Sequence, residues 1–172
     1  MASTLTVDNI VGATTAANVK LPAGGILNYG LAEYSIGTGG SQSYTSTSYT
    51  DITGATISYT PKYSGSKCLI NFNVFGRLYG PSGQDVDTYF RVHIAGSAGK
   101  EYRVVGDNLG KLGDVIWFPM FINIAVEYTT TGTSAVTFKM QTKAGASGNY
   151  FQVPHHANDQ AHQTVTVMEI AQ

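Results

Sequence analysis

The stretch "VPHHANDQAHQ" places His155, His156, Asp159 and His162 within eight residues of one another. Neutral imidazoles beside a carboxylate suit zinc or nickel, and in a trimer one histidine per chain on the axis makes a three-ligand site. The spacing of His155, His156 and His162 fits no zinc signature, however, and the stretch reads as a polar loop between strands. A solvated loop is therefore expected, with no metal and no cofactor. Asp85 and Asp87, in "GQDVDTYF", fall two residues apart on one strand face. Such a pair can bind calcium or divide acid and base roles, but calcium needs several further oxygens and glycosidases need a set separation across a cleft. Charged residues where a strand begins are the ordinary explanation. The lone Cys68 lies in an apolar alternation with no histidine partner in view, as a small buried hydrophobe would. The Gly-x-Ser-x-Gly elbow and both glycine-rich phosphate loops are missing. No catalytic residue is assigned, and an enzyme is not expected.

Two loops carry more recognition chemistry. "RLYGPSGQD" and "KAGASGNYFQVPHH" combine Tyr, Asn, Gly and Ser, a mixture that gives rigid aromatic surface beside adaptable hydrogen bonding. Tyr79, Tyr150 and Phe151 are the candidate contacts there, able to stack on sugar rings or on peptide. A host-surface glycan is accordingly a candidate partner. Ordinary sandwich loops share this composition.

The elements that position these residues are strands. The chain has 172 residues, with only 12% charged, 20 Gly and 11 Tyr. That length suits one domain, and the mixture of Thr, Tyr, Val, Ile and Gly favours strands and turns. A formal net charge of −1 with no basic run argues against nucleic acid. Period-two alternation recurs from Tyr44 onward: Cys68, Ile70, Phe72 and Val74 against Asn71 and Asn73; Phe90, Val92 and Ile94 against Arg91 and His93; Val136, Phe138 and Met140 against Lys139 and Gln141; Val165 and Val167 against Thr164 and Thr166. With Ala55–Thr60, Glu101–Val105 and one or two strands in Val115–Tyr128, about eight strands are expected. The fold class is all-β, an antiparallel jelly-roll sandwich preceded by an extended N-terminal arm.

Residues 1–40 form that arm and its linker, and 41–172 the head domain. The arm has one short strand, Thr4–Ile10, with Leu5, Val7 and Ile10 as its docking residues. It is too poor in large hydrophobes to make a core and must lean on the head or on another chain. No secretory signal is visible, and the most apolar run, Val115–Val126, is too short to span a bilayer, so no membrane insertion is expected. That run is apolar on both faces. A strand of this kind is covered on both sides, beneath a loop or within an oligomer interface.

The segment "TSTSYTDITGATISYTPKYSGSKCLINFNVFG" resembles the recurring start of the C-terminal β-domain in bacteriophage fibre and other virion surface proteins. The features that carry this are Tyr49, Asp51, Gly54, Thr60-Pro61-Lys62 and Ser66-Lys67. The closing "TVTVMEIAQ", with Glu169 and Ile170, resembles the same group. "STLTVDNIVGATTAANVKLPAG" is similar to the N-terminal piece of short fibre proteins in marine and cyanobacterial phages. Residues from Arg77 to about Ala161 match no motif. The resemblance implies a homotrimer with a jelly roll like those of the tumour-necrosis-factor and complement globular-head families, its aromatic strands packed around a threefold axis. It places Trp117, Phe118 and Phe121 against neighbouring chains and gives the arm the task of attachment to other virion proteins, in tail or capsid. The expected function is that of a virion surface fibre or receptor-binding protein. Capsid decoration on the same fold and a stand-alone carbohydrate-binding module are the alternatives.

Overall fold

In the computed structural model, which describes residues 24–35, 41–81, 85–106, 116–153 and 162–172, everything is organised around one long strand. The ten strands are β1 (Ile26–Ser35), β2 (Gln42–Tyr44), β3 (Thr50–Tyr59), β4 (Lys67–Gly80), β5 (Val86–Ile94), β6 (Ser97–Gly106), β7 (Ile116–Thr129), β8 (Val136–Ala144), β9 (Tyr150–Val153) and β10 (His162–Ile170). β4 runs beside β7 from Lys67↔Thr129 to Gly80↔Ile116. Its other side is shared: β10 pairs with Lys67–Asn73, and β9 with Arg77–Tyr79. β1 completes the β10 side and β2 the β9 side, giving a six-stranded sheet; β3, β8, β5 and β6 form the second, four-stranded sheet in that order. All pairings are antiparallel, and the two curled sheets make a jelly-roll sandwich.

Alternation sorts the side chains. In β4, Cys68, Ile70, Phe72, Val74 and Leu78 point between the sheets, where they meet Phe90 and Val92 of β5, Phe138 and Met140 of β8, and Val165 and Val167 of β10. The interior aromatics pack edge to face: Phe90 and Phe151 at 5.0 Å and 89°, Tyr128 and Phe138 at 5.6 Å and 74°. Such pairs contribute about 1 kcal/mol each beyond their buried area.

The expected boundary near residue 40 is corrected by β1. Ile26–Ser35 is an edge strand of the head, laddered to β10 from Ile26↔Ile170 to Ser35↔His162. Small residues, Gly30 and Ala32, occupy its inward positions for a local reason. At Gly30 an added Cβ would lie 3.0 Å from the Tyr59 ring and 3.3 Å from Ile57 Cδ1, because those side chains reach across from β3 and fill the space themselves. The arm residues Leu5, Val7 and Ile10 lie outside the described residues. Where one or two strands are expected in Val115–Tyr128, the described residues form one, β7 (Ile116–Thr129), which carries Pro119, tolerated because β7 is an edge whose only partner among the described residues is β4.

β5 and β6 join through Ala95-Gly96, between Ile94↔Ser97, and both turn residues have positive φ, 50° and 88°. That is the type I′ hairpin, whose first position suits Asn far better than Ala. Ala95 is exposed, so Ala95→Asn is expected to stabilise the fold by about 1 kcal/mol, a melting-temperature rise of roughly 2–4 °C by calorimetry.

Candidate functional site

Three of the sequence features behind the fibre-protein resemblance converge on one carboxylate. Glu169 of β10 is fully buried on the inward face. Its Oε2 accepts from the Tyr59 hydroxyl at 2.8 Å and the Lys62 amide at 2.8 Å; its Oε1 accepts from the Ser66 hydroxyl at 2.5 Å and the Tyr63 amide at 3.1 Å. The Thr60-Pro61-Lys62 turn supplies an amide, Ser66 a hydroxyl, and the closing Glu-Ile pair the acceptor. The far side of the turn is tied by Thr130, which donates to the Tyr63 carbonyl at 2.7 Å and exchanges backbone bonds with Gly65 and Ser66. Burial pushes the Glu169 carboxyl up, but the Ser66 hydroxyl, Lys62 amide, Tyr59 hydroxyl and Tyr63 amide outweigh it and hold it below the usual carboxylate range. The Cys68 thiol, directly across the ladder, is pushed up to about 11 by burial and by the Glu169 charge. Cys68 is thus a buried thiol, as its alternation indicates. At the other end of the same inward row, Gln163 is equally buried, yet neither of its side-chain polar atoms has a partner among the described residues.

The two outer faces of the sandwich differ in kind. On the four-stranded sheet, the Arg91 guanidinium lies 3.8 Å over the Tyr49 ring, and Arg91 Nε donates to Gln141 at 2.7 Å. Gln141 and Lys139 both donate to Asp51, Lys143 pairs with Glu101 at 3.1 Å, and the Tyr49 hydroxyl donates to Glu101. This face is knitted by charge and suits water.

The opposite face, on the six-stranded sheet, reads across β1, β10, β4 and β7 as Tyr29–Met168–Leu69–Glu127, then Leu31–Thr166–Asn71–Ala125, then Glu33–Thr164–Asn73–Asn123. The next step pairs Phe75 with Phe121. All five exposed large hydrophobics of the described residues lie on this sheet: Ile26, Tyr29, Leu31, Leu69 and Phe121. Its charges are Glu33 on β1, the Lys67–Glu127 pair at 2.7 Å where β4 begins, and Arg77 on β4 between β7 and β9, whose Nε donates to Gln152. An amide row crosses the middle, Asn123 donating to Asn73 and Asn73 to Thr164.

Of the residues singled out for a trimer interface, Phe121 is 61% exposed on this face. Trp117 and Phe118 stand opposite Tyr79 and Leu78 in the β4–β7 register, and their side chains are outside the described set. Tyr79 and Tyr150, proposed as contact residues, come together from β4 and β9 with ring centroids 4.3 Å apart. Phe151 is corrected: it is fully buried, because a single-residue step along β9 turns it inward onto Phe90. His155 and His156 are outside the described residues, as is the side chain of His162. Asp85 and Asp87 flank the start of β5, where the Asp85 carbonyl accepts from Asn149 and the Asp87 carbonyl from the Gly145 amide. Sequence reasoning missed Leu31 and Leu69 because each looks like an ordinary hydrophobe in its strand; only pairing shows that they share a face.

The fold and surface together define an antiparallel jelly-roll sandwich with one charge-knitted face and one face that carries the exposed large hydrophobics. The chain matches no protein-family model, and no curated protein is significantly similar to it.

Proposed function

We propose that this protein is a non-enzymatic structural component of a bacteriophage virion surface, a homotrimer packed through the outer face of the six-stranded sheet and attached through its N-terminal arm. The observation that carries the reading is that Leu31, Tyr29, Leu69 and Phe121, exposed large hydrophobics, share one face of the six-stranded sheet. Exposed apolar groups on either side of the amide row, Tyr29, Leu31 and Leu69 on one and Phe121 on the other, favour association, and a face without net charge suits a second copy of itself better than a charged partner. The virion assignment draws on the resemblance, and it is supported by the way Thr60-Pro61-Lys62, Ser66 and Glu169 work as one structural unit. In this reading a fibre would meet host glycan through surface outside the trimer contact, and the same assembly serves as decoration if the arm seats on the capsid.

Two measurements test this. Native mass spectrometry of the purified chain is expected to give three times its 18.3 kDa mass. A monomer at micromolar concentration overturns the trimer. Antibody labelling of purified particles is expected to mark either the tail or the shell, and particles free of the protein overturn the virion assignment.

A further inference from the structure

Glu169 is an acid without a counter-cation. Around it stand Tyr59 from β3, Tyr63 from the connecting segment, Cys68 from β4 and, beyond Cys68 on the ladder, Tyr128 from β7; Asn28 faces it from β1. The Lys62 side chain is exposed, and Lys67 pairs with Glu127 on the outer surface. Among the described residues no Lys, Arg or His side chain reaches the carboxylate, so between neutral pH and about pH 3 Glu169 is the only group in the cluster able to change its charge.

The donors that hold it fall into two kinds. The hydroxyls of Tyr59 and Ser66 can rotate and accept a proton's hydrogen bond; Ser66 even has a second acceptor in the Tyr63 carbonyl at 2.9 Å. The amides of Lys62 and Tyr63 can only donate. A proton on the carboxyl therefore leaves those two amides a neutral acceptor in place of an anion and weakens both bonds, and both amides belong to the segment between β3 and β4 rather than to any ladder. That segment also forms one wall of a cavity of about 140 Å³, lined by Tyr63, Ser64, Gly65 and Ser66 on one side and Leu27, Ala171 and Gln172 on the other.

We propose that Glu169 is a proton-operated latch: ionised, it holds residues 61–66 against the end of β10, and protonated, it releases them and opens the cavity while the two sheets stay packed. The sheets do not depend on its side-chain charge, because the β4–β10 ladder is held by backbone pairing and the core beneath is built from other side chains. The direction of the pH effect follows from the carboxyl being held below its ordinary range in the folded state. Its stabilisation is complete above the unfolded value of about 4.3 and is lost as the pH falls through the lower folded value.

The test is hydrogen exchange on the full chain, expressed as protection factors corrected for intrinsic rates, from neutral pH to about pH 3. Protection of the Lys62 and Tyr63 amides is expected to fall roughly tenfold or more, the worth of one hydrogen bond to a charged group, while Phe72 and Val167 keep theirs. Glu169→Gln, which cannot ionise, is expected to show the acid-state protection at neutral pH with no further change on acidification. Constant protection at Lys62 and Tyr63, loss shared with Phe72 and Val167, or a pH response that survives in Glu169→Gln overturns the latch. Should that variant fail to fold, the wild-type titration decides alone.

Discussion

Replacing Gly76 with alanine is expected to destabilise the fold by about 3 kcal/mol, near the upper end for overpacking a core. Gly76 sits in β4 where β10 has left its flank and β9 is about to join. A Cβ there would come 2.5 Å from the Gln152 carbonyl oxygen, and the Phe151 ring lies in the same space. Neither neighbour can yield cheaply. Gln152 is backbone in a paired strand, and Phe151 is fully buried with its ring edge-on to Phe90. To admit one methyl group, β9 must draw away from β4, loosening the ladder that carries Tyr79 and Tyr150 as well. Thermal unfolding is the measurement, and a fall of roughly 6–12 °C is expected for a chain of this length. A variant that melts within a degree of wild type would show that β9 does not pack as closely as described.

That glycine illustrates what could be seen in the sequence. The alternation of Cys68, Ile70, Phe72 and Val74 announces β4 and its inward face, and the same pattern announces β5, β8 and β10, since burial on one side of a strand leaves a period-two mark. β1 left no such mark. Its inward positions are Gly30 and Ala32, small because Tyr59 and Ile57 fill the space from another strand, so the information lies more than twenty residues away. The short strands β2 and β9 were hidden for a related reason: three or four residues cannot display a period. Phe151 had the composition of a contact loop and the destiny of a core residue. The clasp was half legible. Pro61-Lys62, Ser66 and Glu169 were each noticed as pieces of a resemblance, but that they meet is a matter of how β3, β4 and β10 lie together.

The second large effect concerns assembly. Phe121→Asp is expected to convert the protein from trimer to monomer at micromolar concentration without unfolding it. In the isolated chain the Phe121 ring is 61% exposed, so removing it costs the subunit itself little. Its neighbours Ile122 and Ile124, which do face the core, are untouched. In a trimer packed through this face, each copy loses a buried aromatic worth about 2 kcal/mol and must desolvate a carboxylate at a further cost of at least about 2 kcal/mol. Together that is close to three tenfold steps in affinity. Sedimentation should therefore report the single-chain mass, while the far-ultraviolet strand signal is retained. Leu69→Asp, on the same face in the strand beside β7, should act in the same direction. The control is Lys139→Asp on the other sheet, where it breaks the surface pair with Asp51 and touches no apolar patch. It should leave the trimer mass unchanged, since an exposed pair of this kind contributes at most about 1 kcal/mol. A Phe121→Asp protein that keeps the wild-type trimer mass would move the contact surface off this sheet. Dissociation by Lys139→Asp and not by Phe121→Asp would assign it to the charged face instead.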